Sequence, residues 1–296
     1  MPDRPITIRV ATYNLREGGL DGGGPDRGHG ADSRLRDQVA LLASLDLDLI
    51  GLQEARWGQG KHERARQIAR ELGTSYHFVG RSNFYRLDLA VFVRENDDLT
   101  VERTEHLHGP PWVHGLTNTR LRVAGRPRPL HFLVGHSAPS SPATRLAEAE
   151  MATVHRHLDA IYVADFNAVA INDAPDTTGL DPYKVAKKLD TLPAGELAAA
   201  GFHDVGAHWG DPTPTVGHGD HKIAYRADRI HTTVPDEWIT GYGVECGADD
   251  LSDHRPAWAE FTIPTAAGRS TPRPPAHTTP TTPGGFHAGT RSVQPG

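Results

Sequence analysis

The stretch Ala160-Ile161-Tyr162-Val163-Ala164-Asp165-Phe166-Asn167 sets a short apolar run against an abrupt polar end. Ala160 to Ala164 has the length and composition of a buried strand, and Asp165 stops it. The same pattern recurs outward from this point. Ile6, Ile8 and Val10 alternate with polar residues in a run that ends at Tyr13-Asn14, and Asp48 to Leu52 is an apolar run that ends at Gln53-Glu54. Leu130 to Gly135 leads into His136, and Asp253-His254 precede the alternation of Ala257 to Ile263. Further strands are predicted at Tyr76 to Val79, Leu87 to Val93, Thr117 to Val123 and Lys222 to Ile230. Helical spacing falls between them. Ser33 can cap a helix with Leu35, Val39, Leu42 and Leu45 on one face; a second helix, Lys61 to Leu72, stops at Gly73, and a third opens near Pro142 and runs through Leu158. These elements interleave without a regular βαβ period, and several strand pairs read as hairpins. That order predicts a mixed-sheet α/β sandwich rather than a Rossmann fold.

Polar residues of catalytic type therefore sit where apolar strands end: Asn14, Glu54, His136, Asp165 with Asn167, and Asp253-His254. Each is ordinary alone, since Asn and Asp are common turn residues and Ser252-Asp253-His254 could be a cap. Strand ends on one edge of a sheet can converge into a site, and here they occur together.

Taken in order, Ala11-Thr12-Tyr13-Asn14, Leu52-Gln53-Glu54, Val134-Gly135-His136, Ala164-Asp165-Phe166-Asn167, Arg226-Ala227-Asp228-Arg229-Ile230 and Leu251-Ser252-Asp253-His254-Arg255-Pro256 resemble the endonuclease/exonuclease/phosphatase superfamily. This is the group of deoxyribonuclease I-like and exonuclease III-like enzymes, and the resemblance runs over residues 6 to 263. It implies a four-layer α/β sandwich, with two mostly antiparallel β-sheets packed face to face, flanked by helices, and a site at one end. It also implies hydrolysis of phosphate esters with a divalent metal, Mg²⁺ or Mn²⁺. Residue by residue, Glu54 matches the principal metal ligand, Asn14 a residue supporting metal or phosphate, and Asp253 a further metal-side carboxylate; hard cations prefer such oxygens. His254 matches the catalytic histidine and Asp228 the carboxylate that orients it. Asp165 matches the group that activates or positions the attacking water, Asn167 a phosphate-binding amide, and His136 a residue that contacts phosphate or protonates the leaving group. In-line attack of water builds negative charge on the phosphoryl oxygens, which a metal and N–H donors stabilise. The chain departs from the usual pattern at Ala164, where Gly is usual, at Gly135, where Thr is usual, and at Ala227 and Arg229, which put a charge where an aromatic side chain normally packs.

The rest of the sequence bounds the partners. At 296 residues with 37% hydrophobic and 23% charged, the chain can build a sizeable core in one large domain or two. Cys246 is the single cysteine, so no internal disulfide or Cys-pair zinc site is available. No signal-peptide block and no long apolar run is present, so the expectation is a cytoplasmic protein without a membrane span, monomeric by default. The last 33 residues carry seven Pro, seven Thr and five Gly, which divides the chain into a catalytic domain, 1–263, and a disordered tail, 264–296. The net charge of −6 lacks a basic excess, although bound metal can supply the positive field a phosphate needs.

Nucleic acid is the leading expected substrate, giving a phosphodiesterase or nuclease. A phosphomonoesterase of a small phosphorylated molecule or lipid headgroup is the enzymatic alternative, and an inactive binding module the alternative of another class. Two basic clusters are candidate phosphate contacts or solvated faces: Arg120, Arg122, Arg126 and Arg128 around a hairpin, and Lys184, Lys187 and Lys188 on a helix. Tyr85 and Arg86, with Trp112 and His114, are candidates to bind a substrate base or to serve packing. The glycine-rich stretch Gly18 to Gly30 lacks the spacing of a phosphate-binding loop, and His218 and His221 lack an element to fix them as metal ligands; both read as loop.

Overall fold

The alternation along β1 (Ile6–Asn14) sorts its side chains between two apolar environments. Ile6, Ile8 and Val10 enter a core that also holds Phe132, Val134, Ile161 and Val163 from the opposite sheet, whereas Ala11 and Tyr13 pack under helices. The computed structural model describes residues 4–21, 32–218 and 223–265. Besides β1, the strands are β2 (Leu49–Gln53), β3 (Tyr76–Gly80), β4 (Leu89–Val93), β5 (Leu99–Leu107), β6 (Leu116–Val123), β7 (Leu130–His136), β8 (Asp159–Asp165), β9 (His203–Asp204), β10 (Asp228–Thr232), β11 (Ile239–Val244) and β12 (Ala257–Ile263). They form two six-stranded sheets, ordered β11-β12-β1-β2-β4-β3 and β5-β6-β7-β8-β10-β9. Only β1–β2 and β7–β8 pair in parallel, so the sheets are mixed but mostly antiparallel, as expected.

Helices cover both outer faces. α1 (Ser33–Ser44) and α2 (Lys61–Glu71) bury Leu35, Val39, Leu42 and Ile68 against Ile50, Leu52 and Phe92. On the other face α3 (Pro142–Ala152) and α5 (Leu192–Ala199) pack Ala149, Ala152 and Leu197 against Leu133, Tyr162 and Ala164. The shorter α4 (Pro182–Lys188) and α6 (Val205–Trp209) lie between β8 and β10 in sequence. The two sheets meet closely at Gly51, where a Cβ would lie 2.6 Å from a Val163 methyl and 2.8 Å from one of Val134. Any side chain there would force the layers apart.

Several boundaries differ from the sequence reading. Asp32, not Ser33, precedes α1; the Ser33 hydroxyl instead donates to Asp21, 2.5 Å away. α3 ends at Ala152 and passes into a 3-10 turn at Thr153–His155 rather than continuing to Leu158. The strand expected over Lys222 to Ile230 is confined to Asp228–Thr232; Tyr225 makes only an isolated bridge to Val216. β5 and β11 escape periodicity for clear reasons. β5 is a half-exposed edge strand of mostly polar residues, and β11 carries Gly241 and Gly243 in place of side chains that would report burial. Residues 22–30 of the glycine-rich stretch, His221 and nearly all of the Pro/Thr-rich tail lie outside the described residues.

Candidate active site

Parity along the strands builds the site. On β7, β8 and β10 the residues facing the inter-sheet core are Val134, Val163 and Ile230, and two positions further, or two before on antiparallel β10, come His136, Asp165 and Asp228. The register sets His136 beside Asp165 and Asp165 beside Asp228, so three polar side chains stand in one row across three strands. From the facing sheet, β1 and β2 end at Asn14 and Gln53 in mutual register, with Glu54 immediately after. The apolar core thus gives way to polar side chains at this end of both sheets, with Thr12 and Asn14 following Val10 on β1, and the loop before β12 places Asp253 and His254 over it.

Hydrogen bonds connect the row. His254 Nδ1 lies 2.8 Å from Asp228, and its Nε2 points to Asp165 at 3.8 Å. Asp165 also receives the Asn14 amide at 3.0 Å, lies 3.4 Å from His136 Nε2, and accepts the Asn167 backbone N–H at 2.9 Å. Asn167, in the left-handed region at φ 49°, donates its side-chain amide to the Ser137 carbonyl. Burial works against a charged His254, but Asp228 and Asp165 outweigh it and push the imidazole up to about 10. Burial would likewise raise Asp165, yet the charge on His254 and the hydrogen bond from His136 hold it below the usual carboxylate range. The arrangement can present an ionised carboxylate to a water molecule and an imidazolium N–H to a phosphoryl oxygen.

Glu54 is the carboxylate that lacks positive charge. It is half-buried, adopts φ 60°, and is held by the Asn14 amide at 3.3 Å and the Glu17 N–H at 2.8 Å, with no basic partner among the described residues. Asp165 stands on the other side of Asn14, so two carboxylates flank one amide without a cation between them; a divalent metal fits this donor set. Asn14 offers its amide nitrogen to both carboxylates while its oxygen accepts the Arg16 N–H, so metal contact through that oxygen would share it with Arg16. Asp253 stays partly exposed, 3.9 Å from Arg16, and lines a cavity with His254 and Asn167. Among the described residues, Asp165, Asp228 and His254 also bring one ligand atom each within 4.8 Å of one another. There the His254–Asp228 hydrogen bond occupies Nδ1 of the one and a single oxygen of the other, which leaves His254 Nε2 and the second, unpartnered Asp228 oxygen as the atoms a cation could use.

The departures from the usual pattern find local explanations. A Cβ at Gly135 would lie 2.7 Å from the Tyr162 hydroxyl, so Tyr162 occupies the space a threonine would need. Arg229 is fully buried, donates to the carbonyls of Ala168 and Arg226, and stacks over Phe166 at 4.7 Å, replacing an aromatic contact by a cation–π one. Below it His231 is 2% exposed; burial lowers it most, Asp204 opposes, and Arg229 and Arg226 add, bringing it to about 4. A neutral buried histidine stabilises the fold fully above pH 6.5 and progressively less as pH falls toward 4, because only the unfolded chain takes up the proton. Each tenfold change in proton affinity is worth about 1.4 kcal/mol, so His231 accounts for a loss of about 2 kcal/mol between pH 7 and pH 5. Urea unfolding of wild type and His231→Gln at both pH values should differ in pH dependence by that amount; parallel behaviour would contradict it.

Other expectations are redistributed. Arg120 pairs with Glu102, and Arg126 and Arg128 pair with Asp159 at the opposite end of β8 from the site, so three members of that cluster are committed to ion pairs, while Arg122 is exposed. Of the lysines on α4, Lys188 lines the cavity of about 280 Å³ with Asn167, Tyr225, Ala227 and His254. Trp112 and His114 are buried and unavailable to a base, whereas Tyr85 is 72% exposed. His218 hydrogen-bonds the Ser252 carbonyl at 3.1 Å and thereby braces the loop bearing His254. Motif reading gave no sign of Arg34, which donates to the carbonyls of Leu15, Arg16, Leu20 and Leu251 and ties together the loops around Glu54 and Asp253.

Residues 11–285 match the model of the Endonuclease/Exonuclease/phosphatase family. Solved structures share the fold at low identity. An endonuclease/exonuclease/phosphatase family protein from Bacteroides thetaiotaomicron aligns at 16% identity over 88% of this chain and 99% of its own, with a TM-score of 0.59. An AP endonuclease from Archaeoglobus fulgidus aligns at 17% identity over 86% of this chain and 100% of its own, at 0.62. D. rerio TDP2 complexed with single strand DNA product aligns at 15% identity over 87% and 99%, at 0.59. No curated protein sequence matches significantly.

Proposed function

Because the chain belongs to the endonuclease/exonuclease/phosphatase family, and is on that ground a phosphoesterase, we propose that it is a divalent-metal-dependent phosphodiesterase acting on DNA or RNA. The observation that carries this reading is the row of His136, Asp165 and Asp228 with His254 over it and the uncompensated Glu54 opposite. In the proposed reaction Asp165 accepts the proton of the attacking water, while Asn167 and His136 bind the phosphoryl oxygens. His254, oriented by Asp228, donates to an oxygen as its charge develops. Glu54, with Asn14 and Asp253, would hold Mg²⁺ or Mn²⁺, which lends Lewis-acid stabilisation to the phosphate.

Nucleic acid is favoured by the loop between β3 and β4. Tyr85 and Arg86 both take positive φ values, 49° and 56°, and Tyr85 is presented to solvent beside a cavity of about 460 Å³ lined by Arg81, Arg86 and Lys61. Lys61 is paired with Asp88, whereas neither arginine has a carboxylate partner among the described residues. An exposed ring beside unpaired guanidinium groups suits base stacking and phosphate contact. The loop reaches the site through Phe84, whose ring meets His114, which in turn stacks on His136. A small phosphate ester is the second reading, supported by the cavity at His254 and Lys188. Among the described residues no helix is long and apolar enough to cross a membrane. We further read residues 1–263 as the catalytic domain of a monomeric, cytoplasmic enzyme, with exposed Cys246 left unpaired.

The test is cleavage of plasmid DNA, single-stranded DNA and RNA with Mg²⁺ or Mn²⁺, beside bis-p-nitrophenyl and p-nitrophenyl phosphate. Polynucleotide cleavage is expected, with affinity that weakens steeply with salt. Arg86→Ala should reduce the log–log salt slope by about one, and Tyr85→Ala should raise KM about tenfold. Release of phosphate from the monoester alone, with every polynucleotide intact, would replace this reading by the small-ester one.

A further inference from the structure

His136 carries a problem of orientation. Its ring is buried, its Nδ1 has no hydrogen-bond partner among the described residues, and its Nε2 makes a single ion-pair contact there, with Asp165 at 3.4 Å. A single long contact does not by itself set the orientation of the imidazole, and a turn about its side-chain bonds would carry Nε2 out of the row that Asp165 and Asp228 define, so packing must hold it. The restraint comes from a residue outside every motif. The His114 ring lies on that of His136 with centroids 3.9 Å apart and planes inclined by 8°.

His114 is itself held at Nδ1 and against two neighbouring rings, while its Nε2 has no hydrogen-bond partner among the described residues. It is fully buried; its Nδ1 lies 3.1 Å from the Ser82 hydroxyl, and its other flank meets the Phe84 ring at 5.4 Å and 77°. Ser82 is in turn anchored through its backbone N–H to Asp88 at 2.9 Å. The loops bearing the two histidines are joined from α3: Glu148 accepts the Val113 N–H on one carboxylate oxygen and the Ala138 N–H on the other, both at 2.8 Å. One buried carboxylate thus ties the residue before His114 to the residue two beyond His136.

Resting on the proposed phosphodiesterase reading, we propose that His114 is a positioning residue. Its ring face, held by Ser82 and by the Glu148 staple, keeps His136 Nε2 aimed at Asp165 and the phosphate. The aromatic face is what matters, and Nδ1 serves to lock the ring through Ser82. A displacement of His136 by about 1 Å would cost on the order of 100-fold in rate.

The experiment uses the full chain and single-stranded DNA with Mn²⁺, well below the melting temperature of each variant. His114→Ala should lower kcat 10- to 100-fold with KM within about threefold of wild type. His114→Phe, which keeps the ring, should recover to within about fivefold of wild-type kcat, while His114→Gln, which keeps only a hydrogen bond to Ser82, should resemble alanine. In side-chain nitrogen–proton spectra the His136 ring protons should lose their stacking shift in the Ala and Gln variants and keep one in Phe. Wild-type kcat in folded His114→Ala would overturn the proposal, as would recovery by Gln and not by Phe. If alanine prevents folding, the Phe and Gln pair decides alone. Absence of cleavage by the wild type would instead count against the phosphodiesterase reading, and the His136 spectra would still show whether the stack orients that ring.

Discussion

His254→Ala is expected to lower kcat about 1,000-fold on a polynucleotide, within the range of about 100- to 10,000-fold for removing a positioned proton-transfer group. Its Nδ1 is committed to Asp228 at 2.8 Å, which leaves Nε2 as the only ring nitrogen able to face substrate. Truncation also leaves Asp228 buried without its partner; burial already raises this carboxyl and His254 is the main group opposing that, so its loss costs stability on its own account. Asp228→Asn and the double variant separate these effects. Asp228→Asn should lose about 100-fold because the ring loses both its orienting carboxylate and the charge that keeps it protonated, and the double variant should be no slower than His254→Ala. Additive losses would mean that the two residues act independently, and kcat of His254→Ala within tenfold of wild type would remove His254 from the mechanism.

Glu54→Gln tests the metal. The substitution keeps the shape and an oxygen for the Glu17 N–H while removing a charge that no basic side chain among the described residues balances. Loss of a full carboxylate beside a divalent ion should weaken Mn²⁺ binding about 100-fold, on the order of 3 kcal/mol. Turnover should fall about 1,000-fold at subsaturating metal and recover in part as Mn²⁺ is raised. Calorimetric titration gives the affinity without recourse to activity. Unchanged Mn²⁺ affinity would move the metal elsewhere, and the closely spaced Asp165, Asp228 and His254 would then be its candidate ligands.

The legible part of this protein followed from strand ends. β1, β2, β4, β7, β8 and β12 lie within one or two residues of their expected bounds because their apolar runs are strong and each stops at a polar residue or, for β12, at Pro264. The illegible part was of two kinds. Edge strand β5 and glycine-bearing β11 present no apolar alternation, since neither buries a continuous face of side chains. Residues that act through neighbours, such as Arg34 on four carbonyls and Glu148 on two backbone N–H groups, have no local pattern at all, because their partners are 10 to 217 residues away.

By itself the sequence determined that apolar runs alternate with helical faces in the order of a two-sheet sandwich. It also placed Asn14, Glu54, His136, Asp165 and His254 at or beside the ends of those runs, because periodicity of two and of 3.6 is written in local composition. Only the tertiary structure decided that parity turns these ends toward one another, and that Arg126 and Arg128 serve Asp159 while Lys188 faces the site. It alone placed His114 on the ring of His136. The physical reason is that convergence depends on strand register and on which two sheet faces meet, quantities fixed by packing across the whole core and carried by no single segment.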